Sequence, residues 1–154
     1  MSGTVFYEKA RNLSKQLITS GDEVVPTLLV VTNSKLFIAD ISNLDKDEWY
    51  ENVQSLLRNH KAVSYVFMAE SYQSKVSEDS PEFHKLLTGE ITIHELPPDD
   101  RCDVLSVIEI ANGNKILASS SAEISFDING KRTLLDFDEH SSVHNKMNIL
   151  PTNW

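Results

Sequence analysis

The sequence contains a single cysteine, few glycines and no long apolar run. Cys102 is the one cysteine among 154 residues, so a disulfide within the chain is excluded. No segment approaches the roughly 18 apolar residues of a membrane span. The N-terminus lacks the basic and apolar regions of a signal peptide. These absences predict a soluble cytoplasmic protein without a membrane partner.

Positive charge is also scarce. The chain has 14 Lys and Arg against 23 Asp and Glu, a net charge of −9, and its basic residues are scattered. An acidic surface repels phosphate backbones, so direct binding of nucleic acid is not expected. The acidity has two interpretations. It serves solubility, or it forms a surface that docks a basic protein as an inhibitor or chaperone.

Motifs for nucleotide binding and nucleophilic catalysis are missing as well. The five glycines are dispersed, so no glycine-rich loop is available to hold a phosphate. The serine run at 119–121 has no flanking glycines, which excludes a nucleophile elbow. The sequence therefore predicts no cofactor and favours a protein without catalytic activity, although residues distant in sequence can still assemble an active site.

Residues 103–137 are predicted to form the centre of the fold as four successive strands. Residues 104–110 are nearly all apolar, which is typical of a strand covered on both faces. Asn112-Gly113-Asn114 and Asn129-Gly130 supply hairpin turns. The serine run at 119–121 is interpreted as a step between two strands.

The N-terminal half is predicted to combine two amphipathic helices with a hairpin. The first helix spans residues 4–20, and its apolar stripe consists of Phe6, Ala10, Leu13 and Leu17. Residues 27–32 and 35–41 form a hairpin inside the sheet. The second helix begins at Asp45 with a capping box to Glu48. Its buried stripe consists of Trp49, Val53, Leu56, Leu57 and His60.

Three shorter elements follow the second helix. Residues 62–69 form a strand, and residues 70–80 form a polar loop. Ser80-Pro81 is typical of the start of a short helix, and Gly89 ends it. Residues 91–96 are expected to form a brief strand.

These elements predict an α+β fold in a single domain spanning residues 1–154. Its sheet is mainly antiparallel and has about five to seven strands, with the two amphipathic helices packed on one face. Residues 138–154 are expected to form an irregular tail, anchored by Ile149, Leu150 and Trp154.

Four side chains near the C-terminus are the candidate metal ligands. Asp136, Asp138, His140 and His144 lie within nine residues of one another, and carboxylates with imidazoles bind zinc or manganese. The segment matches no known ligand spacing, so a solvated tail is the competing interpretation.

A second acidic pattern is typical of nucleases but incomplete. Asp99 is followed ten residues later by Glu109, which suits a divalent metal at a phosphodiester. The lysine expected two positions later is replaced by Ala111, and Lys115 lies across the turn. A separate hypothesis gives Cys102 a lowered thiol pKa next to Arg101, against the alternative of a packed thiol.

Two segments of the chain resemble segments of other proteins. They are Glu70-Ser71-Tyr72, which follows a strand, and the proline-containing turn in residues 97–105. Both segments resemble those of small α+β proteins of unknown function from bacteria and their phages. The likeness covers about a third of the chain. It implies a single α+β domain and no particular activity.

The favoured hypothesis is a non-catalytic domain that binds another protein or acts as an adaptor. A homodimer through an exposed strand or the tail is a further possibility within it. The alternatives are a metal-dependent hydrolase that resembles nucleases, and the acidic inhibitor or chaperone of a basic protein.

Overall fold

One antiparallel sheet organises the fold, in a computed structural model that describes residues 3–140 and 149–154. Its strands are β1 (Thr27–Val31), β2 (Leu36–Asp40), β3 (Ser64–Ser74), β4 (Arg101–Ala111), β5 (Lys115–Phe126), β6 (Arg132–Leu134) and β7 (Asp138–Glu139). The helices are α1 (Val5–Thr19), α2 (Trp49–Asn59) and α3 (Pro81–Leu87). The strand order is β2-β1-β3-β4-β5-β6, with β7 also paired to β5. The sheet curls into a half-barrel. The combination of separate helices with an antiparallel sheet confirms the predicted α+β fold class.

The two long helices pack on opposite faces of the sheet. Along β3, Tyr65 and Phe67 belong to the apolar cluster with α2, whereas Val66 and Met68 belong to the cluster with α1. Successive side chains of a strand point to opposite faces, so α1 and α2 cover different sides. This corrects the expectation that both helices pack on one face. The near-continuous apolar character of β1, β3 and β4 follows from this double coverage.

The buried side of α1 is rotated from the predicted stripe. Ala10 is buried as expected, but the other fully buried positions are Tyr7, Ser14 and Ile18. Polar residues occupy this side because their polar atoms are bonded. Ser14 Oγ donates to Met68 Sδ at 3.1 Å, and the Tyr7 hydroxyl is hydrogen-bonded to partners on β5 and β7. A stripe based on apolar residues alone misses such positions.

Helix α2 begins later than predicted. Residues 46–48 form a 3₁₀ turn, and the Asp45 side chain makes no capping hydrogen bond, so the predicted capping box is absent. The α-helix instead starts at Trp49, whose indole N–H donates to the Leu44 carbonyl at 3.1 Å. Trp49, Val53 and Leu57 of the predicted stripe are buried, whereas Leu56 is only half-buried and His60, predicted to be buried, is exposed at the C-terminal end of the helix.

Several strand boundaries also differ from expectation. The serine run lies inside β5, which is one strand rather than two, and β3 continues to Ser74 through residues predicted as loop. Residues 93–95 form a 3₁₀ turn instead of a strand. Strand β2 lies at the edge of the sheet, not inside it, and its side chains alternate between exposed and half-buried. The cap of α3 by Ser80 is confirmed.

The last residues of the chain return to the α2 side of the sheet. Leu150 is buried, and Ile149 and Trp154 pack against the same cluster. The Trp154 indole N–H donates to the Ala62 carbonyl at 2.8 Å, and Tyr65 donates to the Pro151 carbonyl at 2.7 Å. The three predicted anchors therefore make the expected contacts, while β7 adds a short strand to the segment expected to be irregular.

One buried and one half-buried carboxylate attach the start of α1 and the segment after it to the sheet. Glu109 on β4 is fully buried and accepts hydrogen bonds from the Thr4 backbone N–H, at 2.9 Å, and from the Thr4 hydroxyl. Glu70 on β3 pairs with Arg132 on β6 and accepts the Val24 backbone N–H at 2.5 Å. Helix α1 is thereby held over β3 to β6, which leaves the same face of the edge strand β2 exposed, whereas Leu29 and Val31 of β1 stay buried.

Candidate functional site

A groove lies between α1 and the edge strand β2. Its volume is about 780 Å³, and we call it the α1–β2 groove. Leu29, Leu36 and Ile38 contribute its apolar base, since Leu29 pairs with Ile38 across β1 and β2. On the helix side it is lined by Val5, Lys9, Asn12, Leu13 and Gln16.

Three apolar side chains at the rim of this groove are open to water, whereas Leu29 at its base is buried. Val5 is 72% exposed, Ile38 58% and Leu36 39%. Single exposed apolar residues are ordinary, but a contiguous group in a concave surface marks an interaction site in soluble proteins. The α1–β2 groove is therefore the strongest candidate for a binding surface in the described part of the chain.

The backbone of β2 adds hydrogen-bonding groups along the rim of the groove. The turn of the hairpin is closed by the Thr32 N–H, which donates to the Lys35 carbonyl at 2.9 Å. Antiparallel pairing alternates, so Phe37 and Ala39 also bond to β1. The N–H and C=O groups of Leu36, Ile38 and Asp40 then point away from β1, towards an edge that no described strand covers.

One positive charge lines the groove. Of the described residues that line it, Lys9 alone carries a charge. Residues three or four positions from Lys9 on α1 are neutral, namely Val5, Phe6, Asn12 and Leu13. The salt bridges found within residues 3–140 and 149–154 do not include Lys9. The groove thus combines apolar walls with an unpaired ammonium group.

A polar network occupies the opposite end of the sheet, where β7 pairs with β5. The Tyr7 hydroxyl donates to Glu139 Oε2 at 3.0 Å and is also hydrogen-bonded to the Ser120 hydroxyl, which can donate to it. Arg11 binds Glu139 and lies 4.0 Å from the centre of the Phe137 ring. Burial, together with the Glu139 carboxylate, raises the pKa of Tyr7 to about 12, against the lowering effects of the Ser120 hydrogen bond and of Arg11. This network holds α1 to β7 and keeps the Tyr7 phenol neutral.

The candidate metal ligands lie beside this network. Asp138 pairs with Ser121 in the β5–β7 ladder, and both Asp138 and His140 are exposed. His140 Nε2 lies 3.0 Å from Ser121 Oγ, and the His140 backbone N–H donates to the Ser119 carbonyl at 2.7 Å. Among described residues, no group of three ligand-type side chains is placed to hold an ion. His144 lies outside the described residues, so the four-ligand hypothesis stays a prediction.

The nuclease pattern is not brought together by the fold. Asp99 lies in a 3₁₀ turn before β4, and Glu109 lies near the other end of that strand. At about 3.3 Å per residue, the eight steps from Arg101 to Glu109 span roughly 26 Å. The two carboxylates are too far apart to share a metal ion, and Glu109 is already bonded to Thr4.

The Cys102 thiol shows the reverse of the predicted activation. Burial raises its pKa, and the Glu123 carboxylate adds to the increase, which outweighs the lowering effect of Lys75. The hypothesis of a lowered thiol pKa is therefore wrong. A thiol of raised pKa that lies half-buried on a strand is typical of packing rather than of nucleophilic catalysis.

Comparison with known proteins identifies no relative. No family model, no curated protein and no solved structure matches the chain. Any function must therefore be inferred from the geometry of the α1–β2 groove and of the polar network.

Proposed function

We propose that this protein is a non-catalytic binding domain and that its partner is another protein. An extended segment of the partner adds as a strand to the free edge of β2, and alternate side chains of that segment enter the α1–β2 groove. One observation carries the proposal. Leu36 and Ile38 direct their backbone N–H and C=O groups to the open edge and their side chains into the groove.

This arrangement suits recognition by strand addition. Main-chain hydrogen bonds to the edge supply affinity that does not depend on sequence, and pockets for alternate side chains supply specificity. The groove beside β2 supplies apolar contact on one face of the added strand. On the other face, Phe37 and Ala39 pack against the α2 cluster, which attaches β2 to the core. We place the protein in the cytoplasm, with neither nucleic acid nor membrane as a partner.

The charge of the groove favours a different protein over a second copy of this chain. Symmetric pairing of two β2 edges would put both α1 helices on the same face of the joined sheet, because an isologous interface repeats one surface. Each copy would then bring its unpaired Lys9 to that face, and neither groove lining contains an acid to pair with it. A homodimer is nevertheless an outcome that light scattering of the purified protein would detect.

The experiment begins with a displayed library of linear peptides selected against the purified protein. Peptides that use the groove should lose binding when Ile38→Lys is introduced. They should keep binding with Ile116→Lys, since Ile116 is an exposed isoleucine of a strand outside the groove. Both changes add one positive charge, so a difference in peptide binding between the two variants shows that the peptide contacts β2 and is not an effect of charge alone.

Hydrogen exchange then tests the mode of binding. A bound peptide should slow the exchange of the amides of Leu36, Ile38 and Asp40, because these point to the open edge. The amides of Phe37 and Ala39 are already paired with β1 and should change much less. Equal protection of all five amides, or of none, would contradict strand addition.

The hydrogen bond between Ser121 and His140 favours a hydrolase as a second candidate. Its length of 3.0 Å is within the range of a nucleophile and its base. Labelling by a fluorophosphonate that is lost in Ser121→Ala would support this candidate.

A metal-dependent hydrolase would instead show a rise in melting temperature with zinc or manganese. The acidic-inhibitor hypothesis predicts capture of a basic protein that weakens sharply with salt.

A further inference from the structure

We propose that the partner segment carries a carboxylate, from Asp or Glu, that pairs with Lys9 in the α1–β2 groove. This inference rests on the proposed function and specifies the chemistry of the partner. It follows from the position of Lys9 between apolar residues of the groove and from the lack of an acidic neighbour for it among the described residues.

Lys9 lies where a bound segment would remove water from it. Val5 and Leu13, one turn before and one turn after Lys9, line the same groove. A segment that covers these apolar side chains also lies against the Lys9 side chain and removes part of its water. Burying a charge is unfavourable unless an opposite charge or hydrogen-bonding groups replace its water shell. A carboxylate supplies both.

The same geometry excludes other segments. A purely apolar segment leaves the ammonium group without a partner, and a segment with Lys or Arg at this position brings two like charges together. Asn12 and Gln16, which also line the groove, are neutral and can donate further hydrogen bonds to a carboxylate. Lys9 thus favours partner segments that have an acidic residue at this position over those with an apolar or a basic one.

This preference opposes the net charge of the protein. At −9 the whole molecule attracts basic partners over long distances, whereas the groove selects an acidic residue at contact. The two effects are separable because salt screens long-range attraction between exposed charges more than it screens a partly buried pair. An acidic preference in selected peptides therefore cannot arise from net charge.

The test selects peptides from one linear library against three forms of the protein: wild type, Lys9→Glu and Lys131→Glu. Lys131 is an exposed residue of the turn after β5, so its substitution changes the net charge equally at a site outside the groove. Peptides that bind wild type and Lys131→Glu should be enriched in Asp and Glu. Peptides that bind Lys9→Glu should be enriched in Lys and Arg at the equivalent position.

A double-mutant cycle measures the pair itself. Replacing the acidic residue of a selected peptide by its amide should weaken binding to the wild type about fivefold, as expected for one partly exposed ion pair. The same replacement should have almost no effect on binding to Lys9→Gln. A fivefold loss that persists with Lys9→Gln would place the carboxylate elsewhere and overturn the inference.

The outcomes separate this inference from the proposed function. Peptides that depend on Ile38 but show no acidic enrichment would overturn the carboxylate and leave strand addition in place. An acidic enrichment that is the same for wild type and for Lys9→Glu would likewise overturn the carboxylate and leave strand addition in place. A library that yields no peptide sensitive to Ile38→Lys would overturn both.

Discussion

Breaking the ion pair between Glu70 and Arg132 should destabilise the fold well beyond the effect of an ordinary surface pair. The two side chains are only 15% and 16% exposed. Each also bonds to the main chain that leads from α1 to β1: Glu70 accepts the Val24 N–H, and Arg132 donates to the Asp22 carbonyl at 3.0 Å. The pair therefore joins β3, β6 and the segment after α1.

The magnitude follows from these contacts. A hydrogen bond to a charged group contributes about 1.5 to 3 kcal/mol. Either Glu70→Ala or Arg132→Ala removes the charged pair and one bond to the main chain, and it leaves the other charge largely shielded from water. We expect each single change to lower the free energy of unfolding by about 3 kcal/mol. A coupling of about 2 kcal/mol should then limit the double mutant to a loss of about 4 kcal/mol.

Urea denaturation of the four proteins in the cycle, at low and high salt, measures this coupling. The matched control is the pair of Lys75 with Glu123, which has an N–O distance of 2.9 Å but side chains that are 47% and 39% exposed. Its coupling should be small and should fade in salt, because water and ions screen it. Equal coupling in the two pairs would refute the argument that burial makes the pair of Glu70 and Arg132 strong.

Three further predictions concern the polar network and the C-terminus. Raising the pH from 10 to 12 should destabilise the wild type, because unfolded Tyr7 ionises near 10.0 and folded Tyr7 near 12. The part of the loss that comes from Tyr7 is at most about 1.4 kcal/mol per pH unit, and Tyr65, whose pKa burial also raises, contributes a loss of its own. Urea denaturation across this range should show that Tyr7→Phe lacks this contribution, whereas Tyr50→Phe, at an exposed site, keeps it. Trp154→Ala should cost about 2 to 3 kcal/mol in urea, because it removes the bond to Ala62 and the contact with Tyr65; a loss below about 0.5 kcal/mol would show that the C-terminal contacts do not hold the fold. If the metal hypothesis is right, zinc should raise the melting temperature, and Asp138→Asn with His140→Ala should abolish the rise.

The fold class was predictable because apolar periodicity and turn chemistry are local properties. Asn112-Gly113-Asn114 does form the hairpin between β4 and β5, where Gly113 and Asn114 have positive φ. The assignment of helices to faces was not predictable in this way. Each helix shows one apolar stripe, and each face of β3 and β4 is apolar, so only the three-dimensional path of the chain decides which stripe meets which face.

The polar contacts that organise α1 were also beyond local patterns. Tyr7 and Ser14 are polar residues in the core, and their partners lie 113 and 54 residues away in sequence. Glu109 was considered as a metal ligand, although its carboxylate bonds to Thr4, which is 105 residues away. A sequence shows that a carboxylate lies on an apolar strand but not which distant donor satisfies it.

The position of the α1–β2 groove follows from these same long-range contacts. Because Glu109 and the pair of Glu70 and Arg132 hold α1 over β3 to β6, the α1 face of β2 receives no cover from any described element. Natural sheets protect edge strands with charges, prolines or bulges. Strand β2 is only five residues long and ends on Asp40, with Lys35 just before it, but the stretch from Leu36 to Ala39 has no charge or proline and its register with β1 is regular. The uncovered side of this short stretch is the feature on which the proposed strand addition rests, and the long-range contacts that hold α1 over β3 to β6 are the physical reason it is uncovered.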